Sequence, residues 1–285
     1  MNTEPNEMSI GVLGPLTVEL DHTSIVPAAA KPRQMLALLA LSPGSMINVS
    51  ALRQELWAER PPRSASTTLQ TYIRQLRVCI TAALVPGQDP KQVLCTHSTG
   101  YTLQAHCVSA DMIEFERLAQ AGRAAAEDSD HYRASVMFGR ALALWRGPAL
   151  ADVRHGCQLG LKAASLEEAK LSVHQRRIDA DLALGRHIDL LAELNTLVVE
   201  HPTNEHFCAS RMAALYSAGH IERALQEFHR LRSTLRTELG IEPTPMLQRF
   251  HLALLSGTGL AGPAGPKHRG LTSAVSGDGR RATTR

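Results

Sequence analysis

The stretch SASTTLQTYIRQLRVCITAAL, residues 64–84, carries the fold assignment. Leu69, Ile73, Leu76 and Ile80 recur at spacings of four, three and four, so at 100° per residue they occupy one narrow arc of a helix and form its buried stripe. The opposite face carries Thr67, Thr71 and Arg74, flanked by Gln70, Gln75, Arg77 and Thr81. No Asp or Glu occurs from Ser64 to Val85, so nothing on that face repels an anion. Hydroxyls, amides and guanidinium groups on a helix are what base edges in the major groove pair with: Arg bridges guanine, Gln bridges adenine, and Thr offers a methyl or a hydroxyl. The competing reading is a solvated helix face without a ligand.

The neighbouring segments complete a recognisable order. Upstream, SIGVLGPLTVEL (9–20) is rich in β-branched residues and punctuated by Gly11, Gly14 and Pro15, which predicts one or two short strands. Pro32 suits a first helical turn, and Met35, Leu36, Leu38, Leu39 and Leu41 form an apolar helix stopped by Pro43-Gly44. A second helix, with Asn48 as its cap, places Val49, Leu52, Leu56 and Trp57 on one face before Pro61-Pro62 ends it. Downstream, Val93–Thr96 and Tyr101–Ala105 around His97-Ser98-Thr99-Gly100 read as a β-hairpin. Strands, three helices and a hairpin are the order of a winged helix-turn-helix, an α+β domain expected over residues 1–110.

From 111 to about 256 the pattern is helical, with an early pair near Ile113–Ala126 and Tyr132–Trp145, whose Trp145, like Trp57, is expected to anchor a core. Gly185 and Gly219 stand 34 residues apart, and in that register Leu191 matches Leu225, Glu193 matches Glu227, Leu194 matches Phe228 and Leu197 matches Leu231. This is the tetratricopeptide period, so an all-α repeat domain is expected over 111–256. The chain is thus mainly α. Residues 257–285 hold Gly, Pro, Ser, Thr and Arg with almost nothing to bury, and are expected to be a disordered basic tail.

Composition narrows the function. The 285 residues carry a net charge of +3, unevenly placed: eight Lys/Arg against three Asp/Glu in 22–110, but 17 against 19 in 111–256. A basic domain beside a mildly acidic one suits an anionic ligand such as nucleic acid. No apolar run is long enough for a membrane span, no signal peptide is expected, and five scattered cysteines without C-x-x-C fit reduced thiols, so a cytoplasmic, nucleoid-associated protein is expected.

Enzymatic signatures are missing. Gly257-x-Gly259-x-x-Gly262 has the spacing of a dinucleotide fingerprint but runs into Pro263 instead of following a strand and opening a helix. Walker A, H-E-x-x-H and G-x-S-x-G motifs do not occur. Cys95, His97, His106 and Cys107 cluster near the hairpin, but strand alternation puts His106 and Cys107 on opposite faces and leaves a zinc site short of a ligand. No catalytic residue, metal or cofactor is expected.

Several stretches together are similar to the Streptomyces antibiotic regulatory proteins: IGVLGPLTVEL, KPRQMLALLAL, TLQTYIRQLR, GYTL, ALALWRGPALADV and AALYSAGHIERALQEFHRLRSTLRTELGIEPTPML, spanning about residues 9–254. The family joins an OmpR/PhoB-type winged helix to a bacterial transcriptional activation domain. The resemblance implies binding to double-stranded DNA at tandem direct repeats upstream of promoters, by two protomers that pair on the DNA. It further implies activation through RNA polymerase holoenzyme, including its sigma factor. Carried over by position, Thr67, Gln70, Thr71, Arg74 and Arg77 face DNA, Lys31, Arg33 and Arg53 contact phosphates, and Thr99 and Tyr101 place the wing near the minor groove or backbone. The loop Ala58–Arg63, with Glu59, Arg60 and Arg63, corresponds to the polymerase-contacting region. Some relatives add an ATPase, and OmpR-type proteins often add a phosphoacceptor domain in front. Neither nucleotide control nor built-in phosphorylation is expected here. A reading from a different class is a helical-repeat adaptor whose winged helix docks protein.

Overall fold

The computed structural model describes residues 7–104 and 107–256; the tail and its glycine motif lie outside the described residues. In chain order the elements are β1 (Glu7–Gly11), β2 (Thr17–Leu20), β3 (Thr23–Ser24), α1 (Ala30–Ala40), β4 (Ile47–Asn48), α2 (Val49–Trp57), α3 (Ala65–Ala83), α4 (Pro90–Val93), β5 (Leu94–Thr96), β6 (Gly100–Leu103), β7 (Cys107–Ala110), α5 (Asp111–Glu127), α6 (His131–Leu142), α7 (Cys157–Ala183), α8 (His187–Glu200), α9 (Glu205–Ser217), α10 (Ile221–Leu239) and α11 (Pro245–Ser256). They group into two compact units that divide between Ala180 and Asp181.

The first unit contains two sheets, the helices α1 to α6 and α7 as far as Ala180. Sheet one has the order β3-β2-β1-β7, with Met8 opposite Leu20 and Ile10 opposite Val18 in the antiparallel β1–β2 pair, and with β7 parallel to β1. Alternation along β1 sends Met8 and Ile10 into the core and Glu7 and Ser9 outward. Sheet two has the order β4-β6-β5, the wing hairpin with Ile47 paired to Tyr101. The α3 stripe of Leu69, Ile73, Leu76 and Ile80 is buried as its spacing predicts. Trp57 of α2 stacks near Tyr72 of α3 with ring centroids 6.3 Å apart.

Three features depart from the expected local structure. Asn48 does not cap α2 with its side chain; it lies in β4, and the Val49 N–H donates to the Thr99 carbonyl at 2.9 Å, so the wing turn satisfies one of the helix's first free donors. Val93 belongs to the short helix α4, opened by Asp89 at the cap and Pro90 after it. Cys107–Ala110 forms a strand, β7, because the chain returns beside β1 before α5 begins.

The helices α5, α6 and α7 as far as Ala180 belong to the same unit, and one apolar cluster runs from Met8 through Leu39 and Leu52 to Phe115, Phe138 and Leu159. Fully burying side chains such as Phe115 and Phe138 stabilises by about 1.5–3 kcal/mol each. Trp145 meets Phe115 edge-on, with centroids 5.6 Å apart, and Lys170 Nζ lies 4.6 Å from the Trp145 ring. Carboxylates join the strand loops to the helices. Asp111 of α5 accepts the N–H groups of Val12 and Leu13 at 2.9 and 3.0 Å and the Arg146 guanidinium at 3.1 Å. Asp152 accepts the Leu16 N–H at 2.7 Å, and the Arg146 N–H donates to the Leu13 carbonyl at 2.8 Å. Glu55 of α2 caps the first turn of α7.

In the second unit α9 packs on α8 and α10, and α11 packs on both α9 and α10. Gly185 and Gly219 close successive turns at φ +77° and +81°, a region L side chains rarely adopt, which explains why the 34-residue register is marked by glycine. Leu194, Phe228, Leu197 and Leu231, matched in that register, are all buried. Glu227 is buried too, paired with Arg211 and, at 2.7 Å, with Arg230. Burial, aided by the nearby Glu227 charge, pushes the Cys208 thiol far above its usual range and keeps it protonated.

Candidate nucleic-acid interface

Helix α3 presents its polar face because the opposite stripe is locked into the core. Thr67, Gln70, Thr71 and Arg74 are exposed along it. The Thr71 hydroxyl donates to the Thr67 carbonyl at 3.1 Å, which holds the hydroxyl oxygen on the helix surface and leaves the methyl free for contact. No acid lines the space next to it: a cleft of about 300 Å³ between α3 and the wing is bordered by Gln70, Ile73, Arg74, Arg77, Lys91, Thr96 and Tyr101. A basic helix face beside a hairpin can accept a polyanion, with base edges against the helix and backbone against the wing.

The structure brings some of the sequence-selected residues together and sets others apart. Gln70, Arg74, Arg77 and Tyr101 border the one cleft. Arg77, however, is half-buried, and its Nη2 donates to the Leu94 carbonyl and to Thr96 Oγ1, both at 2.7 Å. Tyr101 is buried in the root of the wing, while Thr99 is exposed at its tip.

Lys31 and Arg33, selected as phosphate contacts, are engaged within the unit. The Lys31 ammonium donates to the Leu56 carbonyl, and burial, with Arg154 nearby, holds its pKa below the usual lysine value. Arg33 pairs with Asp152 at 2.8 Å and donates from Nε to the Pro27 carbonyl at 3.1 Å. Arg53 is half-exposed on α2. Glu59, Arg60 and Arg63 are exposed in the loop between α2 and α3, where Ala58 turns the chain at φ +51°.

Two residues of the cleft, Lys91 and Thr96, escaped the sequence reading. Asp89-Pro90 is a helix-start signal that places Lys91 on a helix, but four residues are too few to show periodicity. Of the zinc candidates, His97 Nε2 lies 3.0 Å from Thr102 Oγ1, and His106 and the Cys107 side chain lie outside the described residues. Among the described residues no three metal-ligating side chains lie together, and no helix is long and apolar enough to cross a membrane.

A winged helix with an acid-free helix face, followed by stacked helices, is the arrangement of the bacterial transcriptional regulators that this chain matches. The comparisons agree. Residues 23–103 match the family described as transcriptional regulatory protein, C terminal, and residues 110–255 match the bacterial transcriptional activator domain. The chain belongs to the Streptomyces antibiotic regulatory protein family. It is 46% identical over 250 residues to the regulatory protein DnrI of Streptomyces peucetius, covering 87% of this chain and 92% of DnrI. It is 32% identical over 253 residues to the transcriptional regulatory protein EmbR of Mycobacterium tuberculosis, covering 89% of this chain but 64% of EmbR. A solved structure of EmbR in complex with a low-affinity phosphopeptide matches with a TM-score of 0.78, over 88% of this chain and 66% of that one.

Proposed function

We propose that the protein is a sequence-specific DNA-binding activator of a secondary-metabolite biosynthetic gene cluster, acting in the cytoplasm. Two protomers occupy tandem direct repeats upstream of a promoter, and the complex recruits RNA polymerase holoenzyme through its sigma factor. The observation that carries this reading is the exposed, acid-free face of α3, with Thr67, Gln70, Thr71 and Arg74 beside a wing, in a chain whose family members are transcriptional regulators. Glu59, Arg60 and Arg63 are exposed in the loop before α3, which supports their assignment to polymerase contact. Residues 1–110 supply DNA recognition and residues 111–256 supply activation.

The test is run-off transcription with purified holoenzyme from a promoter fragment that the full-length protein retains out of sheared actinobacterial DNA. Added protein is expected to raise transcript from that fragment and not from a control promoter. DNA retention without added transcript rejects recruitment. Absence of selective retention rejects DNA recognition and favours the adaptor reading.

A further inference from the structure

The cleft between α3 and the wing contains cations of two kinds. Arg77 is half-buried, and one terminal nitrogen is committed to Leu94 and Thr96 while its Nε is enclosed without a hydrogen-bond partner. To turn Nη2 toward a base, this side chain gives up both bonds and leaves the start of β5 without its tie to α3. Arg74 and Lys91 differ: both are exposed, and among the described residues neither side chain makes an ion pair or hydrogen bond. Lys91 also stands on a fixed platform. Asp89 Oδ1 accepts its backbone N–H at 2.9 Å, and the Val93 carbonyl at the end of the same short helix accepts the Gln104 N–H at 2.7 Å.

Resting on the DNA-binding reading above, we propose that Arg77 is a positioning residue that sets the wing against the recognition helix, and that the cleft it spans seats one DNA backbone phosphate between Arg74 and Lys91. With α3 in the major groove and the wing at the adjoining groove, as the DNA-binding reading has it, a strand crosses the cleft. The sugar–phosphate backbone separates the major groove, which admits a helix, from the adjoining groove, so a protein with a helix in one and a hairpin at the other straddles that backbone. The lining of this cleft supplies the two cations that such a phosphate needs and no competing carboxylate. Base reading then falls to Thr67, Gln70 and Thr71, nearer the N-terminus of α3.

The experiment measures binding of the full-length protein to two duplexes, one recovered by selection from genomic DNA and one of scrambled sequence, across a salt series, with hydroxyl-radical footprinting of the first. Lys91→Ala is expected to weaken both duplexes by the same factor, roughly fivefold near 0.15 M salt, and to flatten the slope of log affinity against log salt by about 0.9. Arg77→Lys keeps the charge but not the fork, so it is expected to leave that slope unchanged, keep the α3 footprint and lose protection at the wing. Thr96→Ala is expected to do the same more weakly. An unchanged slope in Lys91→Ala overturns the phosphate seat. Loss of discrimination between the duplexes with wing protection intact in Arg77→Lys overturns the positioning role and makes Arg77 a base reader. Because Lys91 and Thr96 are exposed, their variants decide the matter even if Arg77 variants fail to fold. Wild-type protein that distinguishes neither duplex removes the DNA-binding reading itself, a result separable from failure of the seat alone.

Discussion

The Glu55 carboxylate accepts the backbone N–H of Gly156 at 2.6 Å and, through its other oxygen, that of Gln158 at 2.8 Å. A buried acid on α2 thereby satisfies the first free donors of α7 and lies at the positive end of that helix. Gln34 of α1 donates to the same carboxylate at 3.3 Å, so three helices meet at one side chain. Helices α2 and α7 are therefore held in one geometry.

Replacing Glu55 by Ala strands these donors inside the unit. Equilibrium urea unfolding of Glu55→Ala is expected to show a loss of about 3 kcal/mol, with Glu55→Gln losing less because its amide oxygen still accepts. An unchanged unfolding midpoint contradicts the capping role.

Arg33 offers the opposite contrast, between a cation that stabilises the fold and one available to DNA. Its pair with Asp152 is partly exposed, and Arg33→Ala is expected to cost about 1 kcal/mol of stability. Its salt slope for DNA binding should match wild type, whereas Arg74→Ala should flatten the slope. Equal flattening by both substitutions returns Arg33 to the phosphate contacts.

His251 gives the second unit a pH dependence. Its ring stacks on Phe228 with centroids 4.0 Å apart, and burial, the His229 ring and Arg232 hold its pKa below the usual 6.5. The unfolded chain therefore binds the proton more readily than the folded one. Stability contributed by neutral His251 is complete above about pH 6.5 and falls as the pH drops toward the lower folded value. Melting temperatures between pH 7.5 and 5.5 are expected to fall more for wild type than for His251→Phe, which keeps the stack without the charge. Parallel curves contradict this assignment.

At Gly219, the φ of +81° rather than crowding is the constraint, since a Cβ there meets nothing within 4 Å. Gly219→Ala is expected to lose about 1–2 kcal/mol in thermal unfolding, the cost of placing an L side chain in the left-handed region. A neutral substitution argues that the turn relaxes to negative φ.

Much of this was legible in the residues. The α3 stripe, the apolar run of α1, and the glycines 34 apart each follow from periodicity and backbone preference, which are local properties. What escaped was non-local. Asn48 has the chemistry of a cap, but the pairing of β4 with β6 sets its conformation. Cys107–Ala110 becomes a strand only because β1, about a hundred residues earlier, lies beside it. Lys31, Arg33 and Arg77 carry charges that suit DNA as well as any others in the sequence. Only the packed structure shows the acceptors at Leu56, Asp152 and Leu94 that engage them. Lys91 was hidden for the converse reason, since its helix is too short to announce a face.

The central claim, that α3 reads sequence, is tested most directly by the ratio of affinities of the full-length protein for a selected duplex and for its scrambled counterpart, measured at 0.1 M and 0.3 M salt by fluorescence anisotropy. The account predicts a ratio on the order of 10³ or more. It also predicts that Thr67→Val, Gln70→Ala and Thr71→Ala each lower the ratio at both salts without altering the melting temperature, because base contacts and not counterions carry the difference. A ratio near one, or a ratio untouched by all three substitutions, contradicts it.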